Sequence, residues 1–124
     1  MNYVAIEDLF VYKLAMDVAE KIHERVLQFP SFYKYSIGRQ LMEAADSIAA
    51  NISEGHGRFF FKENKNFCYY ARGSLVETKT WLLKAKTRIL ISEDEYSKLI
   101  QELNTLHYHL NTYIKSIGSK DQDP

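Results

Sequence analysis

The sequence predicts an all-α protein, an antiparallel up-down-up-down four-helix bundle forming one domain. Three observations point to it. Apolar residues recur at steps of three and four through four long stretches, the period that gives a helix one apolar face. Nowhere do apolar and polar residues alternate as a half-buried strand requires. The breaks between stretches are short, and short connections favour antiparallel neighbours. With 124 residues, 46% of them hydrophobic, the chain can bury one continuous core.

The first helix is expected over about residues 8–29, where Val11, Leu14, Val18, Ile22, Val26 and Phe29 share a face. It stops at Phe29 because Pro30 pushes the residue before it out of the α region. The second opens after Ser36, read as its N-cap, and carries Ile37, Leu41, Ala44, Ala45, Ile48 and Ile52. Gly55, read as a left-handed cap, ends it. The third runs without proline over residues 62–90, with a seam of mostly small residues: Asn64, Cys68, Ala71, Leu75, Thr78, Leu82, Ala85 and Ile89. The fourth starts near Ser92, where Ser92-x-x-Glu95 reads as a capping box. Its seam is the most regular in the chain: Tyr96, Leu99, Leu103, Leu106, Leu110, Tyr113 and Ile117, closing at Gly118. The bundle domain thus spans residues 1–118, and the polar tail 119–124 is expected to be disordered.

Sixteen Lys and Arg balance sixteen Asp and Glu, so total charge singles out no partner. Its distribution does. Residues 1–55 carry a net charge of −3, residues 56–90 carry +6 and residues 91–124 carry −3. The acidic start and the lack of any long apolar run predict a cytoplasmic protein with no signal peptide and no membrane span. A single cysteine, Cys68, excludes an internal disulfide and suits a reducing compartment.

Inside the basic segment, Arg58, Lys65, Arg72, Lys79 and Lys86 are spaced by seven, and the last four form one helical stripe about 31 Å long. Two readings are open. As residues flanking a core seam they could form salt bridges with the acidic first and fourth helices, through Glu20, Glu24 or Glu102. As an unneutralised rail, joined by Lys62, Lys84, Arg88 and the aromatic rings of Tyr69, Tyr70 and Trp81, they could bind phosphates and stack bases. On the fourth helix a second row, Ile100, His107 and Ile114, widens the apolar face and suits an oligomer interface. Catalytic chemistry is not expected: Glu54 and His56 lack a nucleophile or second carboxylate. No metal or cofactor is expected either, because His107 and His109, two apart on a helix, point to different faces.

The stretches "FVYKLAMDVAEKIHERV", "QLMEAADSIAANISEGHGR" and "KENKNFCYYARGSLVETKTWL" resemble a bacterial family of four helix bundle proteins, the 23S rRNA intervening-sequence proteins. The accessory variability determinant of diversity-generating retroelements shares that fold. The resemblance covers about residues 7–115, and its most specific part is the pair N-I-x-E-G-x-G-R (Asn51, Ile52, Glu54, Gly55, Gly57, Arg58) and G-S-L-x-E (Gly73, Ser74, Leu75, Glu77). It implies a homopentamer, no known catalytic activity and, in the retroelement branch, a basic surface that engages nucleic acid and a reverse transcriptase. Met42 and Glu43 depart from it, standing where the family usually has a basic pair. Within the resemblance, Glu54 and Arg58 read as an ion pair across a two-glycine corner with His56 at its exposed tip. The combined expectation is a non-enzymatic oligomer that binds RNA or DNA through Arg58, Lys62, Lys65, Arg72, Lys79 and Lys86. The alternative is a protein-protein adaptor whose basic residues are held in interface salt bridges.

Overall fold

The computed structural model describes residues 4–118, and the tail expected to be disordered lies outside them. Among the described residues every regular element is helical. A 3-10 turn at Ile6–Asp8 precedes α1 (Phe10–Val26), α2 (Ser31–Lys34), α3 (Ile37–His56), α4 (Phe61–Thr87) and α5 (Glu93–Ser116). The four long helices are the four expected, and no strand is present among the described residues.

Their apolar faces meet in one core. Val18, Ile22 and Val26 of α1 join Leu41, Ile48 and Ile52 of α3, Leu75 and Leu82 of α4, and Leu103, Leu106 and Leu110 of α5, all buried. The α4 seam is built from small residues, Cys68, Ala71 and Ala85, beside Ala44, Ala45 and Ala49 of α3. Short side chains let two helix backbones close on each other, and at Gly55 the approach leaves no room for a Cβ. A Cβ there would lie 2.9 Å from the Asn64 carbonyl oxygen and 2.9 Å from Phe67 Cβ. Burial pushes the Cys68 thiol up to about 11.

Several boundaries differ from expectation, each for a local reason. Gly55 is not a left-handed cap: it lies inside α3, and Gly57 closes that helix at φ −80°. Among the described glycines, Gly118 is the one at positive φ, +73°. Ser36 occupies the N-cap position of α3 as expected, but its hydroxyl makes no capping bond, donating instead to the Phe32 carbonyl at 2.7 Å beside the short α2 turn. Helix α1 ends at Val26, three residues before Phe29, yet Phe29 stays buried. Ile89 leaves the α4 seam altogether and stands 88% exposed at φ +60°. There it fills the left-handed position of a Schellman cap, with Leu90 N–H bonded to the Ala85 carbonyl and Ile89 N–H to the Lys86 carbonyl, both at 2.9 Å. His56 is half-buried, with Nε2 2.6 Å from the Val4 carbonyl, and is not an exposed tip.

The capping box of α5 is present in both directions. Glu95 N–H donates to Ser92 Oγ at 3.1 Å, and Ser92 N–H donates to Glu95 Oε1 at 2.9 Å. That second bond, with Arg25 beside it, holds the Glu95 carboxyl below its ordinary value.

Candidate nucleic-acid interface

The register of α4 turns Arg72, Lys79 and Lys86 toward α5. Arg72 Nη1 donates to Asn111 Oδ1 at 2.9 Å, and Lys79 Nζ donates to Asn104 Oδ1 at 2.6 Å. Lys86 Nζ lies 3.4 Å from a Glu93 carboxylate oxygen. The partners fall in number along α5 as the cations rise along α4, and Asn104 and Asn111 are themselves seven apart. The pairings of Arg72 and Lys79 therefore repeat with the heptad, whereas the partner of Lys86 lies outside that repeat.

What the partners are decides the electrostatics. An amide oxygen satisfies a cation's donor without cancelling its charge, whereas a carboxylate does both. Apart from Glu93, two α5 acids that could have neutralised the stripe are engaged with α1 instead: Glu102 with Lys21 at 2.8 Å, and Glu95 with Arg25. Of the eight Lys and Arg in residues 56–90, Arg58 and Lys86 meet a carboxylate. Among the described residues Lys62, Lys65, Arg72, Lys79, Lys84 and Arg88 do not.

His107 registers that uncancelled charge. Burial first, then the nearby charges of Lys79 and Arg72, hold its imidazole below the ordinary 6.5. Exposed aromatic rings accompany the cations. The Arg72 guanidinium lies 5.1 Å from the Tyr69 ring centre, and Tyr69, Tyr70 and Tyr108 all reach solvent. The surface combines what phosphate and base binding need, namely charge without a counter-ion and flat apolar rings.

The other sequence-predicted residues sort into a corner and a core. Arg58 bonds Glu54 at 2.9 Å, approaches Glu63 at 4.0 Å and lies over the Phe67 ring at 4.7 Å, so it staples α3 to α4. Asn51 donates to the Ser47 carbonyl and hydroxyl, both at 2.9 Å, and Ser74 donates to the same Ser47 hydroxyl at 2.9 Å. The two motifs thus meet through Ser47, while Glu77 accepts the Trp81 indole N–H at 3.0 Å. On α5, Ile114 is 7% exposed and Ile100 packs on the core, so the row read as an oligomer interface is used largely within the protomer, with His107 half-buried beside α4. The sequence reading did not single out Asn104 and Asn111, the partners of Lys79 and Arg72. Their signal was in the sequence, a seven-residue spacing matching that of Arg72 and Lys79.

No group of three or more His, Cys, Asp or Glu that could hold a metal exists among the described residues, and no described helix is long and apolar enough to cross a membrane.

The chain is similar to known proteins in two ways. A family model described as 23S rRNA-intervening sequence protein matches residues 7–112. Among solved structures, a protein of unknown function from the S23 ribosomal protein family of Bacteroides thetaiotaomicron superposes with a TM-score of 0.76. It is 19% identical and covers 86% of this chain and 99% of its own. No curated protein matches the chain. Since the family model covers nearly the whole helical region described above, the chain belongs to the 23S rRNA-intervening sequence protein family.

Proposed function

We propose that the protein is a non-enzymatic, homo-oligomeric helical bundle that binds RNA or DNA through the basic face of α4. One observation carries the reading: Arg72 and Lys79 are held on α5 by asparagine amides, and the acids that could have cancelled their charge are bonded to α1. Lys62 and Lys65 extend the face toward the start of α4. Arg58 contributes less than the sequence suggested, being engaged by Glu54. The alternating up-and-down course of the helices belongs to this reading and is supported by the descending partners on α5. Assembly, a pentamer by family resemblance, is supported by Val76 and Leu83, seven apart and exposed on α4. It would multiply the phosphate contacts of each copy. A reverse transcriptase or another protein partner is the remaining element carried by the resemblance.

The test is the double variant Arg72→Glu/Lys79→Glu beside the parent, with circular dichroism and sizing to establish that it folds and assembles. Affinities for single-stranded and duplex RNA and DNA are compared at two salt concentrations. The parent should bind with little sequence preference, and its affinity should fall steeply with salt. The variant should lose binding with its assembly intact. If neither protein binds, the adaptor reading takes its place.

A further inference from the structure

A second surface lies outside the α4 to α5 face. Between α2, the start of α3 and the C-terminal end of α4 is a cleft of about 740 Å³, a size that accepts a small ligand. Phe32 and Tyr35 of α2 line it at 76% and 74% exposure, large rings that the protomer leaves uncovered. Trp81 of α4 lines it with its indole N–H tethered to Glu77, which fixes the ring. Arg39 and Arg88 enter from opposite elements.

The charges in the cleft favour an anion. Glu43 faces Arg39 at 3.9 Å, with both side chains well exposed to water, so that pair is weak. Arg88 meets no carboxylate among the described residues. A planar guanidinium with free donors matches the oxygens of a phosphate, and open rings beside it match the face of a base. Phosphate alone would not use the rings, and an apolar peptide would leave the arginines unpaired.

We propose that this cleft holds a nucleotide unit of single-stranded nucleic acid, its base stacked on Phe32, Tyr35 or Trp81 and its phosphate on Arg88. The inference rests on the nucleic-acid reading above and adds to it a preference for unpaired strands, because only an unpaired base offers its face to a side chain.

Trp81 is the chain's one tryptophan, so its fluorescence reports directly on the cleft. The parent is titrated with pentaadenylate, AMP, inorganic phosphate and pentaglutamate, with excitation at the red edge of indole absorption. Pentaadenylate should quench saturably and AMP more weakly, while phosphate and pentaglutamate leave the signal unchanged. Arg88→Gln and Tyr35→Ala, both substitutions of exposed side chains, should each weaken pentaadenylate about ten-fold. Absent quenching, equal quenching by pentaglutamate, or undiminished affinity in both variants would overturn the proposal. Binding of a long single-stranded RNA is measured on the same samples. If the parent binds it while pentaadenylate fails to quench, the cleft is overturned and the α4 face stands; if it binds neither, both readings fall.

Discussion

Two single residues carry testable consequences. Ile89 is a β-branched side chain at φ +60°, where Cβ crowds the backbone by about 1–2 kcal/mol. At 88% exposure it gains almost nothing from burial in return. Ile89→Gly should therefore stabilise the protein by about 1 kcal/mol in urea unfolding, after allowing for glycine's greater freedom in the unfolded chain. The second is His107, whose folded-state imidazole titrates below 6.5. A depressed value means the folded state resists protonation, so the stability His107 preserves is present above pH 6.5 and lost as the pH falls through its folded value. A nuclear magnetic resonance titration should place His107 below an unstructured histidine, and Lys79→Met should move it upward by removing a nearby cation. An unchanged value in that variant would mean that Lys79 contributes nothing and that burial, with Arg72, sets it.

At the scale of elements, the contact between α3 and α4 separates two glycines that look alike in sequence. Gly55 sits where a Cβ would meet Asn64 and Phe67 below 3.0 Å, whereas a Cβ at Gly73 would meet nothing within 4 Å. Gly55→Ala should cost about 1–3 kcal/mol by overpacking, and Gly73→Ala should gain about 0.5–1 kcal/mol of helix propensity. Equal effects in thermal unfolding would refute the close approach. This contrast also marks what was legible. The seam of α5 and the box at Ser92 and Glu95 could be read because periodicity and capping are set by residues within a few turns of one another. The four-residue α2 could not, since one turn after Pro30 shows no period. Gly55 was misread because its constraint comes from another helix, not from its own backbone. Ile89 kept the α4 period, but the helix had already ended. The basic stripe was legible as a stripe, while its choice of amides over acids depended on which face of α5 met α4.

For the whole molecule, the expected outcome is an assembly. Light scattering at micromolar concentration should give the mass of several protomers, five by family resemblance, and a monomer mass would remove that part of the reading. The core offers a different instrument. Cys68 is completely buried, and its thiol titrates near 11, so in the closed protein it is almost wholly protonated and out of reach of a disulfide reagent at neutral pH. Labelling therefore waits for α4 to part from its neighbours, and with the thiol the only one in the chain, every modified molecule records one such event. Its rate against reagent concentration is a clock on the opening of the bundle, one that can be read with and without nucleic acid to learn whether a partner at the surface keeps the interior shut.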